Sequence, residues 1–295
     1  MNSSTLERLI KQLSLEPVTT DIFLGQSTDM LHTGRIFGGQ VLGQALMAAS
    51  LTVVAERHVH SMHCYFIRPG DVNIPIRYEV ERVRDGGSFS MRRVTAFQED
   101  KHIFTLSASF QIEEQGFEHQ EAMPKVPGPE HFMSEEALVH KFEAMLPKGV
   151  RQRFLVDGNP IEIRLADPQQ FFMPGQYEPD SFMWFRANGA MPDNPLAHKA
   201  MLAYMSDFYL LFASLLPHDQ VPFDKNMQMA SLDHALWFHR PIDMSEWNLF
   251  CVESPNASSA RGLSLARIYN QRGELLASVA QEGLIRNTTR FPSSS

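Results

Sequence analysis

The sequence predicts an α+β protein built from two helix-in-antiparallel-sheet repeats in one chain of 295 residues. Three observations carry that expectation. First, "HSMHCYFIRPGDVNIPIRYEVERVRDGGSFSMRRVTAFQEDKHIFTLSASFQ" and "SLDHALWFHRPIDMSEWNLFCVESPNASSARGLSLARIYNQRGELLASVAQE" share one layout, and both Ser88/Ser258 and Gln111/Gln281 lie 170 positions apart. Second, each copy is preceded by a stretch rich in Ala, Leu and Met, 38–54 and 198–216, a composition that favours helix. Third, the strands alternate: Ile103, Thr105, Ser107 and Ser109 take one face, and Phe104, Leu106, Ala108 and Phe110 the other. A helix apolar on most sides is a buried helix, so a sheet wrapped around it is the natural packing.

Taken in order, the chain opens with Leu6, Leu9, Ile10 and Leu13 at helical spacing, with Ser4 or Thr5 as a cap. This is a short amphipathic helix and not a secretory leader. The first repeat closes by residue 114. Residues 115–160 hold "MPKVPGPEH" and then "SEEALVHKFEAMLP", which reads as a linker with one surface helix, Glu135 and Glu136 suiting its first turn. The second repeat occupies 161–295, and its tail "RFPSSS" is polar. No stretch approaches the roughly 18 apolar residues of a membrane span.

Composition narrows the function classes. The chain is 43% hydrophobic and 20% charged with a net charge of −8, which suits a globular core and disfavours a nucleic-acid partner. The two cysteines, Cys64 and Cys251, are too few for a disulfide scaffold or a four-ligand zinc site, and point to a cytoplasmic location. Among His58, His60 and His63, strand alternation puts the first two on one face and the third on the other, with no zinc-spaced partners. No metal is expected. No G-x-S-x-G elbow, Walker loop or dinucleotide fingerprint occurs, so no cofactor is implied.

One residue does not fit its surroundings. Asp207 lies in "YMSDFYLLF", and an unpartnered carboxylate is costly to bury. Either it is a satisfied core carboxylate or helix cap, or it does chemistry, such as taking a proton from an attacking water.

The strings "FGGQVLGQAL", "SMHCYFIRPGD", "DGGSFSMRRV", "SASFQ", "GFEHQ", "LDHALWFHRP", "ESPNASSARG" and "ASVAQEGLIR" resemble bacterial acyl-CoA thioesterase II, in the same order and over nearly the whole chain. The resemblance implies a double hotdog, two helix-in-sheet units fused in one chain. It implies hydrolysis of fatty acyl-CoA and a homo-oligomer, dimer or tetramer. That family places an aspartate on the second helix, a threonine on the strand before the Asp-His-aromatic run, and a glutamine on the last strand. Residue by residue these fall on Asp207, Ser231 and Gln281, with serine in place of the usual threonine. Gln281 is also the residue that the internal repeat singles out; without the family it reads as an exposed strand residue.

His60 occupies a position where the family also has histidine and is a secondary catalytic candidate. Gln40 stands near the place of Asp207 in the first repeat, which lacks the carboxylate. Gly38 and Gly39 either admit a ligand to the helix start or allow close packing, and Gly43 suits packing. Arg92 and Arg261 are candidate contacts for the phosphates of coenzyme A, since arginine binds phosphate well, though a solvated strand face explains them equally. "PDNPLAH" (192–198) resembles the signature of hotdog enoyl-CoA hydratases, with Asn194 one place early. Hydratase and a non-catalytic acyl-CoA-binding module are therefore the alternatives to the thioesterase.

Overall fold

The computed structural model describes residues 5–28, 34–146, 148–152 and 158–290; Ser4 and the tail beyond Arg290 lie outside them. Helix α1 (Thr5–Leu13) and the short strands β1 (Glu16–Thr19) and β2 (Ile22–Gly25) lead into α2 (Gly38–Ser50). Strands β3 (His58–Phe66), β4 (Ile76–Asp85), β5 (Phe89–Gln98) and β6 (Lys101–Gln111) complete the first half. After α3 (Glu135–Lys141) and α4 (Lys148–Gln152) come β7 (Ile161–Leu165), α5 (Gln169–Phe172) and β8 (Asp180–Ala187). Helix α6 (Pro195–Ser206), a 3-10 stretch (Leu210–His218), and β9 (Met227–Ser231), β10 (Asp233–Phe238), β11 (Asn248–Ser258), β12 (Arg261–Asn270) and β13 (Leu275–Asn287) finish the chain.

Among the described residues, thirteen strands join one antiparallel sheet in the order β1-β2-β4-β5-β6-β3-β10-β13-β12-β11-β8-β7, with β9 added on β13. The order of β4-β5-β6-β3 is mirrored by β10-β13-β12-β11, so the repeat in sequence is a repeat in space. The halves meet where β3 pairs with β10, from Asp233↔Tyr65 to Trp237↔Ser61. The alternation of β6 puts Phe104, Leu106, Ala108 and Phe110 inside, and Ile103 at the strand's start is buried as well.

The inner elements divide differently from the sequence expectation. Helix α2 is buried on nearly all sides and lies against β2, β3, β4, β5 and β6. In the second half the equivalent place, against β8, β11, β12 and β13, belongs to the 3-10 stretch. The 170-residue repeat spacing says the same, since it carries 38–50 onto 208–220. Helix α6 instead packs on α2. A Cβ on Gly39 would lie 2.2 Å from the Tyr204 carbonyl oxygen, and one on Gly43 3.0 Å from that of Ala200. Gly43 is therefore a packing glycine, and any side chain at 39 would push the two helices apart.

Pro195–His218 is long and apolar enough to cross a membrane, with mean hydropathy 1.4, against the expectation that no stretch comes close; 78% of that window is buried inside the protein. It comprises α6, packed on α2, and the 3-10 stretch against the second-half strands. Buried Leu6, Leu9 and Leu13 seat α1, and Leu13 reaches Gly43.

The segment before α3 does more than connect. Met123, Val126 and Phe132 cover a second apolar cluster of Trp184, Leu249, Cys251 and Tyr269 on the outer face of the sheet, and Trp184 Nε1 donates to Pro127 O (2.8 Å). Helix α3 is capped by Ser134 and buries Leu138 and Val139, so it is amphipathic.

Candidate active site

Asp207 ends α6 with φ −85° and ψ −10°, and two residues later Tyr209 adopts a left-handed φ of 62° before the 3-10 stretch begins. The break in the helix turns Asp207 toward α2. Phe37, Tyr204 and Phe208 form an aromatic cluster beside it, with ring centroids 4.5–5.4 Å apart.

The carboxylate is satisfied. Its Oδ1 accepts from Ser231 Oγ (3.2 Å) and from Gln281 Nε2 (3.1 Å), and Gln281 Nε2 also donates to Ser231 Oγ (2.5 Å). The backbone N–H of Gly39 is a further donor to the carboxylate. That donor comes from the first turn of α2, where the helix dipole favours negative charge. Gly38 closes the approach: a Cβ there would lie 2.6 Å from Asp207 Oδ2 and 3.0 Å from the Phe66 ring. So Gly38 and Gly39 are needed at the site itself.

Asp207 as a residue keeps intermediate exposure, but its carboxyl is enclosed by protein. The enclosure governs: desolvation raises the pKa from 3.8 to about 6, against the opposing hydrogen bonds from Gln281, Ser231 and Gly39. A carboxylate titrating there is ionised at neutral pH and still basic enough to take a proton.

Strand pairing brings these side chains together. Ser231 ends β9 opposite Gly283, and Gln281 points inward two residues earlier on β13. Gln281 is fully buried, against the reading of an exposed strand residue. Two further residues join the network. His234 Nδ1 lies 3.1 Å from Gln281 Oε1, and His234 Nε2 lies 2.9 Å from Ser206 Oγ. Sequence reasoning missed both. The available signal was a histidine in register with Leu236 and Phe238 on the apolar face of β10.

His60 is elsewhere. β3 carries one extra residue between Val59 and Ser61, and this bulge turns His60 onto the outer face, against Ser109 Oγ (2.8 Å) and the Phe89 ring. His63 faces outward too, against Trp237, so the simple alternation expected for these histidines fails at the bulge. Six residues of strand, roughly 20 Å, separate His60 from Phe66 beside the carboxylate. That excludes it as a partner of Asp207.

Arg92 is also not free to bind phosphate. It is 1% exposed, and all its N–H donors are used by Thr52 Oγ1, Thr52 O, Arg84 O, Met91 O and Asp85 Oδ1. It staples the end of α2 to the sheet. Arg261 pairs with Glu282 (2.8 Å) and lines a cavity of about 780 Å³ with His218, Arg286 and Arg290. Gln40 does not mirror Asp207: it binds Gln12, Ser27 Oγ and Gln44 Oε1, tying α1 and the chain after β2 to α2.

The hydratase-like string is a helix start. Asn194 caps α6 by accepting from the Leu196 N–H, and His198 uses Nδ1 for the Met244 N–H and Nε2 for Pro192 O. Among the described residues, no group of three His, Cys, Asp or Glu side chains is placed to hold a metal ion.

Known proteins resemble this chain along nearly its whole length. A family profile described as acyl-CoA thioesterase matches residues 154–284, and one described as acyl-CoA thioesterase N-terminal domain matches 27–111. The chain is 40% identical over 284 residues to acyl-CoA thioesterase 2 of Haemophilus influenzae, covering 96% of this chain and 99% of that one. It is 40% identical to human acyl-coenzyme A thioesterase 8, covering 93% and 87%. The crystal structure of an acyl-CoA thioesterase II from Mycobacterium marinum superposes with a TM-score of 0.78 at 36% identity, over 96% of this chain and 100% of that one. With the double-hotdog sheet and near end-to-end similarity, this chain belongs to the acyl-CoA thioesterase II family.

Proposed function

We propose that the protein hydrolyses acyl-CoA to free acid and coenzyme A at Asp207, Ser231 and Gln281. The convergence of Ser231 Oγ and Gln281 Nε2 on Asp207 Oδ1, at the N-terminus of α2, carries this reading. Water enters among the three side chains. Asp207 takes one proton as the water oxygen attacks the thioester carbonyl carbon. The positive end of α2 opposes the negative charge that builds on the carbonyl oxygen. Collapse of the tetrahedral intermediate breaks the carbon–sulfur bond, and the departing thiolate recovers the proton from Asp207.

Thiol release from saturated acyl-CoA tests the reading. Asp207→Asn keeps the shape and removes the base, and lowers kcat on the order of 10²–10⁴-fold. Turnover within a few-fold of the parent in the folded variant overturns the assignment. Tight acyl-CoA binding without turnover in the parent makes the protein a binding module instead.

Three narrower points belong to the same reading. Arg261, with Arg286 and Arg290 on the 780 Å³ cavity, takes the phosphates of coenzyme A. Its substitution then raises KM for acyl-CoA but not for acyl-pantetheine. A homo-oligomer is supported by exposed Tyr65, Phe89 and Met91 on the outer face of the sheet, and sedimentation measures it. A cytoplasmic location is supported by the two buried, unpaired cysteines, and fractionation of cells tests it.

A further inference from the structure

Gln281 stands between two sets of partners. On one side its Nε2 donates to Asp207 Oδ1 (3.1 Å) and Ser231 Oγ (2.5 Å). On the other its Oε1 lies 3.1 Å from His234 Nδ1, and His234 Nε2 lies 2.9 Å from Ser206 Oγ. Ser206, His234 and Gln281 are at most 1% exposed, so water does not complete their hydrogen bonds from bulk. A buried network of this kind has to satisfy every donor and acceptor internally.

One arrangement of protons serves Gln281 on both sides while Asp207 is ionised. A carboxylate accepts and cannot donate, so the amide of Gln281 must present its NH₂ group to it. The amide oxygen then faces His234 and needs a donor, which places a proton on Nδ1. Burial lowers the His234 pKa to about 4, so the ring is neutral and Nε2 carries no proton. Nε2 accepts the Ser206 hydroxyl proton, drawing it from Ala203 O, which lies 3.0 Å from the same oxygen. The opposite tautomer would set two lone pairs against each other at 3.1 Å and favour a flipped amide. Gln281 Oε1 would then face the Asp207 carboxylate and repel it. Cys64, opposite His234 on β3, is held as a thiol by burial and by Asp207 and Asp233, and adds no charge.

We infer that His234 is a positioning residue: with its proton on Nδ1, it donates to Gln281 Oε1 and locks the amide so that its NH₂ faces Asp207 and Ser231. The inference rests on Asp207 acting as the base, and it adds a reason why that base stays ionised. His234 touches neither Asp207 nor Ser231 in this network; it acts through Gln281. Its loss frees the amide to rotate, weakens the donor that holds the Asp207 pKa down, and leaves the water poorly held.

Three variants separate positioning from packing. His234→Asn keeps an N–H near the place of Nδ1; His234→Gln reaches toward Ser206 instead; His234→Leu offers neither. The Gln and Leu variants are expected to lose about tenfold or more in kcat with KM little changed, a loss typical of residues that orient a functional group. The acid limb of their kcat/KM profile moves up by roughly half a pH unit or more, since Asp207 loses a stabilising donor. The Asn variant keeps kcat within about threefold and an unmoved limb. Parental kcat and acid limb in the folded Gln and Leu variants overturn the inference. So does an equal loss in all three with the limb unmoved. Should the variants not fold, ¹⁵N spectra of histidine-labelled parent protein decide: a protonated Nδ1 with an unprotonated Nε2 supports the lock, and the reverse tautomer or a doubly protonated ring refutes it. The tautomer is read without any turnover, so its outcome is independent of the Asp207→Asn test.

Discussion

Gly38 and Asp207 face each other so closely that a methyl group on Gly38 would sit 2.6 Å from the carboxylate oxygen Oδ2. The first half of the chain thus shapes the site whose acid lies in the second half. Gly38→Ala must displace either the carboxylate or the Phe66 ring. Overpacking of this kind costs about 1–3 kcal/mol. A fall in kcat of at least about tenfold is expected with a modest loss of Tm, since a shift near 1 Å is expensive at a reacting centre. Gly39→Ala meets the Tyr204 carbonyl at 2.2 Å, where backbone has to move, and is expected to lower Tm further. Thermal unfolding and thiol release on both variants check the order.

The pH dependence follows from the Asp207 pKa of about 6. The proposed base works only when ionised. A plot of kcat/KM is expected to rise through about pH 6 with unit slope and level off above pH 7. A plateau that persists unchanged down to pH 5 contradicts the role of this carboxyl.

Stability moves in the opposite sense. The folded-state pKa of Asp207 lies above its ordinary value of 3.8, so folding favours the protonated form. Stability from this group is full below about pH 3.8, declines as pH rises through about 6, and is then constant. At pH 7.5 the ionised carboxyl costs up to about 3 kcal/mol. Asp207→Asn is therefore expected to raise Tm at pH 7.5 while lowering kcat on the order of 10²–10⁴-fold, and to lose that advantage as pH falls toward 4. Calorimetry across this range measures both.

Ser231 stands where the sequence resemblance implies a threonine, and its hydroxyl donates to the carboxylate at 3.2 Å. Hydrogen bonds to charged groups contribute about 1.5–3 kcal/mol. Ser231→Ala is expected to lower kcat roughly 10–100-fold. Ser231→Thr keeps the hydroxyl and stiffens χ1, so activity at or above that of the parent is expected.

Arg92 distinguishes structure from substrate binding. Its donors are consumed by Thr52, Arg84, Met91 and Asp85, and it is almost wholly buried. Arg92→Lys replaces a planar fork by a point charge and is expected to lower Tm by several degrees. KM for acyl-CoA is expected to stay unchanged. A selective rise in KM with unchanged Tm contradicts the staple.

Much of the architecture was legible because its signals are local. Alternation in β6, helical spacing in α1 and the 170-residue repeat are properties of short windows. Asp207 was legible as a misfit, one carboxylate among aromatic and aliphatic neighbours. Gln281 was marked by the repeat. Local rules failed where pairing intervened. The bulge at His60 put His63 on the same outer face as His60, against simple alternation, and the helix expected over 198–216 divided into α6, packed on α2, and a 3-10 stretch within the sheet.

The order of residues by itself determined that two related units exist, which segments are buried, and that a carboxylate lies in an apolar helix. Only the folded chain decided what that carboxylate touches. Residues 38, 207, 231, 234 and 281 meet because β9 lies on β13, β10 joins the two halves, and the two glycines admit α2 to α6. Contacts between distant positions depend on strand register and helix separation, which arise from the packing of the whole core and are written in no single window of sequence.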